Sequence, residues 1–200
     1  NIQFVPHGNF IDAYGPLVGR DSNLRKSFGF ADSDIVLLSL GAVSPYKLNE
    51  KIIDATDPAS NIKLLICGKG KEKYIEQLKT HAARNKNVVI KDGFILDEEI
   101  PRYLSIADYS VFYYDKSEMT SGGIIHSLSY GVPVITRDIP ASEIISSNNG
   151  FVFKDLDGLK KLLEVGLEKK FDKNAIIDSI REYDRFDAAK KLIGFYRKLK

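Results

Sequence analysis

Short runs of unbroken apolar residues recur along this chain. Most are closed by a glycine or lead into a segment whose apolar residues return every three or four positions. Ile35, Val36, Leu37, Leu38 and Leu40 form one run, ended by Gly41. Ile62 to Cys67 form a second, ended by Gly68 and Gly70. Continuous apolar runs of this length predict strands buried on both faces, and the longer spacing predicts helices packed against them. The pattern therefore predicts strands over 2–5, 34–40, 62–67, 88–90, 109–114, 133–136 and 151–153. Helices are predicted over 22–29, 48–56, 71–84 and 97–106, from Ser121 onward, and over 156–168, 172–182 and 185–199. Asp21 or Ser22 caps the first helix and Gly29 ends it, while Pro101 is acceptable only in a first turn. Residues 10–21 read as loop, and His7, Gly8 and Asn9 as a turn after Pro6.

Strands that alternate with helices in this way make a parallel sheet covered on both faces. The expected fold class is α/β, a Rossmann-like doubly wound parallel sheet forming one domain over 1–200, with 155–200 as a C-terminal helical segment. Ligands of such domains sit beyond the carboxyl ends of the strands. The loops there run from Gly41 to Lys47, Gly68 to Gly70, Asp92 to Ile95 and Asp115 to Gly123. The last of them matters most. Glu118, Thr120, Ser121, Gly122 and Gly123 precede Ile124, Ile125 and Leu128 at helical spacing, and Gly131 closes the segment. A helix start of this kind offers unpaired N–H groups and a favourable dipole to an anion. The plain alternative is an ordinary helix capped by Thr120 or Ser121. Three of these four strand-end loops are rich in glycine or carry a cation, which favours a phosphate-bearing ligand.

Composition narrows the partners. A formal net charge of +2 with no basic block argues against nucleic acid. One cysteine, Cys67, excludes an internal disulfide. Lying in an apolar run, it reads as a buried inert thiol compatible with a cytosolic setting. No apolar run reaches the length of a membrane span and no signal peptide opens the chain. Contact with a membrane would then come from a surface or from another part of the protein. The chain starts at Asn1 directly in a strand-like segment, which leads us to expect part of something larger.

Individual residues carry two readings each. Lys47 is either a point charge for a diphosphate or one more surface lysine among 29 basic residues. Glu118 is either an acceptor for sugar hydroxyls or a solvated side chain. His126, about one and a half turns into its helix, reads as a half-buried structural residue before it reads as a ligand. His7 beside Gly8 either reaches a phosphate or tolerates the turn, and His81 lies exposed on a charged helix. The histidines have no metal-ligand spacing, so no metal site and no cofactor are expected. The absence of a Walker loop, of G-x-S-x-G and of G-x-G-x-x-G after the first strand turns the reading away from NTPases, hydrolases and dehydrogenases.

The order of these loops resembles the C-terminal, donor-binding half of retaining glycosyltransferases of the two-domain GT-B fold (glycosyl transferases group 1, family-4-like). Pro6 to Asn9, Leu40-Gly41 through Pro45-Tyr46-Lys47, Leu65 to Gly70, Asp92-Gly93-Phe94 with Tyr103, Ala107 and Asp108, and Glu118 through Gly131 to Ile135 each resemble one of its spaced elements. Glu143 falls on the glutamate that follows. Ala42 stands where the family has arginine, Leu48 where it has glycine, and His126 where it has the second glutamate of its E-x7-E motif.

The resemblance implies a nucleoside-diphosphate sugar as substrate, with its base near Gly93, Phe94 and Ile95. Its diphosphate would lie between Lys47, Gly41 and the N–H groups at Thr120 to Gly123. Glu118 would hold the sugar, Glu118 and Lys47 would be the catalytic residues, and His126 would offer one hydrogen bond. His7, Gly8 and Glu143 are further candidates. It also implies an acceptor glycan or lipid-linked glycan bound by a separate N-terminal domain, a role in polysaccharide or glycoconjugate synthesis, and residence in the cytoplasm or at the inner face of the membrane, with peripheral membrane association of the full-length protein. The alternatives are a nucleotide-sugar epimerase of the same fold and a non-catalytic nucleotide- or sugar-binding module.

Overall fold

The computed structural model describes residues 7–115, 120–165, 167 and 169–197. The strand expected over 2–5 lies outside them, as does Glu118. Fourteen further elements follow in the expected alternation: α1 (Ser22–Ser27), β1 (Ile35–Leu40), α2 (Asn49–Ala55), β2 (Ile62–Gly68), α3 (Glu72–Ala82), β3 (Val88–Asp92), α4 (Ile100–Ser105), β4 (Tyr109–Phe112), α5 (Gly122–Ser129), β5 (Val134–Arg137), β6 (Gly150–Phe153), α6 (Leu156–Val165), α7 (Lys173–Asp178) and α8 (Arg185–Arg197). All strand pairs are parallel and the sheet order is β3-β2-β1-β4-β5-β6.

Successive side chains of a strand point to opposite faces, and both faces here are covered. Leu37, Leu64, Ile66, Val111 and Ile135 meet Ile52, Ile53, Ile75, Leu78 and Leu159 of α2, α3 and α6 on one face. The other face divides into two cores. Val36, Leu38, Leu65 and Cys67 pack with Leu24, Ile100 and Leu104 beneath α1 and α4. Phe112, Tyr114 and Val134 pack with Ile124, Leu128, Ile176 and Ile180 beneath α5 and α7. The division runs between β1 and β4. Helix α8 buries none of its residues.

Several boundaries differ from the pattern. The helix expected over 97–106 opens as a 3-10 turn at Asp97–Glu99, and Pro101 sits in the first turn of the α-helix that follows. β4 stops at Phe112, where its pairing with β5 ends at Thr136. Tyr113 and Tyr114 stay buried but run on beyond the ladder. The helix expected over 172–182 ends at Asp178. Tyr74 is half-buried against the core and donates its hydroxyl to Glu50 at 2.8 Å.

Arg25 is an unforeseen tie. It is fully buried and donates to the carbonyls of Ile106 (2.8 Å), Ala31 (3.2 Å) and Asp34, and to Asp108 Oδ2 (3.2 Å). Asp108 Oδ2 in turn accepts the Val36 amide at 2.8 Å. The Ala107-Asp108 element thus joins α1, β1 and the start of β4, away from the carboxyl ends of the strands. Removing one partner of a buried, hydrogen-bonded charge leaves the other groups unpaired. We expect Arg25→Ala to lower the unfolding free energy in urea by about 3–5 kcal/mol. A loss within the range of an exposed pair, under about 1 kcal/mol, would contradict this role.

Candidate functional site

The chain leaves β1 towards α2 on one face and leaves β4 towards α5 on the other. Adjacent parallel strands whose connections diverge leave a crevice at their carboxyl ends. A cavity of ≈ 360 Å³ occupies that crevice. Leu40, Gly41, Ala42, Tyr46 and Lys47 line it from the β1 side, and Tyr114, Thr120, Ser121, Gly122, Gly123, His126 and Ser127 from the β4–α5 side. Phe10 and Ile100 complete the wall. A larger hollow of ≈ 510 Å³ lies along the edge strand β6, and one of ≈ 440 Å³ includes Ile35, Tyr109 and Pro133. Neither joins a buried cation to a helix start.

Lys47 is not a surface lysine. It is 7% exposed, at the end of a 3-10 turn opened by Pro45, and its Nζ donates to the Leu40 carbonyl at 3.3 Å. A Cβ on Gly41 would stand 3.3 Å from that Nζ, so the amine lies directly on the Gly41 backbone. Leu48 follows at φ 45°, ψ 43°, a left-handed conformation that costs an L-residue about 1–2 kcal/mol. Glycine would take it freely, which explains the glycine of the resembled loop. Here the Leu48 side chain packs against the core beneath it instead. Behind the loop, a Cβ on Gly68 would collide with the Gly41 carbonyl, so β2 must end in glycine for the two strand ends to close up.

The helix start opposite is built as expected. Ser121 is the N-cap, and its Oγ accepts the Ile124 amide at 3.2 Å. The same Oγ is 2.7 Å from the Tyr114 hydroxyl, which anchors the cap to the end of β4. The first intrahelical bond runs from the Ile125 amide to the Ser121 carbonyl, at 3.2 Å. The Gly122 and Gly123 amides precede it and belong to the unpaired set of a helix N-terminus. A Cβ on Gly123 would stand 2.9 Å and 3.0 Å from ring atoms of Phe112 and 3.2 Å from the Tyr114 hydroxyl. Gly123 therefore lets the first turn of α5 press onto β4.

His126 lies one turn further along α5. Phe10 lies against its ring with centroids 3.7 Å apart, and Tyr14 follows at 5.1 Å. Burial lowers its pKa to about 4, with nearby His7 adding to the shift and Asp97 opposing it, so the imidazole is neutral at ordinary pH. Lys47 is the only charged residue among the described residues of the wall.

The other candidates do not line the cavity. Gly93 and Phe94 follow β3, away from the cavity wall, with Phe94 exposed and Ile95 turned into the core. Glu143 is exposed after the 3-10 turn Pro140–Ser142. Gly8 lies against Arg185, whose Cα would be 2.5 Å from an added Cβ, so packing accounts for this glycine. His7 is exposed, with Nδ1 2.9 Å from the Gly8 carbonyl and Nε2 near Gly122. His81 is exposed as expected and pairs with Asp54 at 2.6 Å. Among the described residues, no cluster of three metal-ligating side chains occurs and no helix is long and apolar enough to cross a membrane. Phe10 and Tyr14 carried no signal in the sequence. Phe10 reaches the cavity wall, and Tyr14 the His126 ring behind it, only through folding.

What this arrangement can do is hold an anion between Lys47 and the amides at Gly122 and Gly123. Burial also lowers the Lys47 amine to about 8, with the Cys67 sulfur nearby opposing the shift. An unfolded lysine titrates near about 10.4. Between those values the unfolded chain holds more protons than the folded one, so this group's contribution to stability rises with pH. We expect wild type to gain stability relative to Lys47→Met in urea denaturation between about pH 8 and about pH 10. Parallel pH profiles for the two proteins would refute it. Gly123→Ala should cost about 1–3 kcal/mol by overpacking against Phe112, read by the same method. An unchanged midpoint would show that α5 is not pressed onto β4.

Residues 21–181 match the family described as glycosyl transferases group 1. Chitobiosyldiphosphodolichol beta-mannosyltransferase of Candida glabrata is 30% identical over 173 residues, which covers 80% of this chain and 37% of that protein. Its namesake in Dictyostelium discoideum is 29% identical over 150 residues, covering 66% and 30%. This chain thus spans about a third of the length of the curated relatives it matches. Among solved structures, HepE of Anabaena in complex with UDP and glucose superposes with a TM-score of 0.73 at 20% identity, over 88% of this chain and 52% of its own. Sucrose-phosphate synthase of Thermosynechococcus elongatus does so with a TM-score of 0.74 at 18% identity, over 98% and 52%. At such identities the likeness is one of fold. Since the family match spans well over half of the sequence, the chain belongs to the glycosyl transferases group 1 family, and its doubly wound sheet is one Rossmann-like half of a GT-B fold.

Proposed function

We propose that this chain binds a nucleoside-diphosphate sugar and forms the donor side of a glycosyltransferase. In the complete protein the sugar would pass to a glycan acceptor held by a second domain. The observation that carries the reading is the meeting of the buried Lys47 amine and the first amides of α5 in one cavity at the switch point of the sheet. Negative charge grows on the departing diphosphate as the glycosidic bond breaks. Donors already aimed at that charge lower the barrier, each by about 3–4 kcal/mol in comparable sites. Neither contact requires a metal. HepE, which shares the fold, was solved with UDP and with UDP-glucose, which supports a nucleotide donor. The relatives named for a diphosphodolichol substrate favour a lipid-linked glycan as acceptor, and with it work at a membrane face. Glu118 is the residue we assign to the donor sugar. The resemblance implies retention of configuration, whereas both relatives are named for a beta-linked product. The anomeric signals of the product by NMR decide which applies here.

A second reading, a binding module without turnover, is favoured by Ala42, which leaves Lys47 as the single cation on the described wall. Titration calorimetry with UDP-, GDP- and ADP-sugars tests what the two readings share. We expect one of these donors to bind, and Lys47→Ala to weaken it about ten- to hundredfold, the worth of a charge-assisted hydrogen bond. Binding unaffected by Lys47→Ala, or no binding at all, would sink the donor site. Product analysis of the full-length protein with and without acceptor then separates transfer from epimerisation and from binding alone.

A further inference from the structure

We propose that Tyr114 is a positioning residue of the diphosphate site: its ring fixes the turn that carries Lys47, its hydroxyl fixes the start of α5, and the spacing it sets makes the site select two linked phosphates over one. The inference rests on the donor-site reading above and names how that site measures its ligand.

The two walls of the cavity belong to different crossovers, β1 to α2 and β4 to α5, and each holds one anion contact. The Lys47 amine lies on the first and the amides at Gly122 and Gly123 on the second. Three aromatic rings run from one wall to the other. The Tyr46 ring stacks on Tyr114, with centroids 6.0 Å apart and 10° between the planes. Tyr114 stacks on Phe112 at 5.3 Å and 9°. Aromatic pairs at such separations attract beyond the area they bury. At one end of the stack, Tyr46 precedes Lys47 in the 3-10 turn Pro45–Lys47. At the other end, Phe112 is the surface under Gly123, where an added Cβ would stand 2.9 Å from the ring.

Tyr114 sits in the middle and is tied to both walls. Just beyond it, the Asp115 amide donates to the Tyr46 carbonyl at 2.8 Å, so the Lys47 turn hangs on the backbone that continues β4. On the other side the Tyr114 hydroxyl lies 2.7 Å from Ser121 Oγ, the cap that accepts the Ile124 amide. Tyr114 and Ser121 are both buried, so water does not compete for this bond. Phenylalanine would fill the stack equally well and leave the cap untied. The run of Tyr113 and Tyr114 past the end of the ladder thus has a use, since it brings one side chain within reach of both walls.

A fixed spacing selects among ligands. Two linked phosphates meet both walls together only if the separation matches, and contacts held in place beforehand lose less freedom on binding. A single phosphate uses one wall at a time and is indifferent to the distance to the other.

The test is titration calorimetry of the full-length protein with whichever of UDP, GDP and ADP wild type binds most tightly, and with the matching monophosphate. Wild type should prefer the diphosphate at least about tenfold, the worth of a charge-assisted bond. Tyr114→Phe, which removes only the hydroxyl, should weaken the diphosphate about three- to tenfold and leave the monophosphate unchanged. Tyr46→Ala should act in the same way by removing the outer ring, and Tyr46→Phe, which keeps the ring, should match wild type. Added to Lys47→Ala, neither Tyr114→Phe nor Tyr46→Ala should cost anything further, because no second contact is left to place. Thermal melts confirm that each variant folds, and Tyr46, 42% exposed, provides a site where truncation spares the core. Equal weakening of both nucleotides, additive losses in the double variants, unchanged binding by Tyr114→Phe, or equal affinity of wild type for both nucleotides would overturn the proposal while the donor site stands. Failure of all three diphosphates to bind wild type overturns both.

Discussion

The adjacency of β1 and β4 is the constraint from which the site follows. β1 is buried on both faces, with Val36, Leu37 and Leu38 wholly sealed, so it must lie inside the sheet with a neighbour on each side. Its neighbour in sequence, β2, takes one side. The other side falls to β4, and from there the strands run outward in the opposite direction. Right-handed crossovers then place α2 and α5 on opposite faces. The chain ends of the two strands part and leave the crevice between them. No residue was needed to carve this cavity. It is what remains when two sets of parallel units grow away from a shared pair of strands.

Around that crevice the chain keeps the backbone of a phosphate site and changes its side chains. Leu48 holds the left-handed turn behind Lys47 although it is not glycine, paid for by packing beneath the loop. Ser121 caps α5 and is itself tied to Tyr114, so the amides at Gly122 and Gly123 have a fixed direction. Ala42 and His126, in contrast, leave no charge where the resembled family has an arginine and a glutamate. One positive and one negative group are absent together, so the net charge of the wall is that of the family pattern. The change is from charged contacts to a neutral imidazole held by aromatic rings. Binding energy then rests on Lys47 and backbone amides, groups that contact phosphate whatever base or sugar is attached.

Much of this was legible in the sequence. Strands read well because burial on both faces requires unbroken apolar runs, as in Ile35 to Leu40 and Ile62 to Cys67. The cap at Ser121 and the glycines after it read well because a helix start needs local groups only. Boundaries were lost where tertiary pairing sets them. Tyr113 and Tyr114 are as apolar as the strand before them, but the ladder with β5 has already ended. The helix over 97–106 opens as a tighter turn that sequence spacing does not distinguish. Lys47 was indistinguishable from a surface lysine, because nothing in its neighbourhood in sequence says that the Gly41 backbone lies across it.

The sequence by itself determined the class of fold, the order of strands and helices, and the loops that gather at the carboxyl ends, since each depends on hydrophobic period and local turn chemistry. Only the tertiary structure decided which residues share the cavity. It buried Lys47 and set its amine beside Gly41. It brought Phe10 across more than a hundred residues onto His126, and it sent Asp108 to a buried arginine. These are contacts between segments distant in the chain, and their energies come from desolvation and ring packing, which no local pattern encodes.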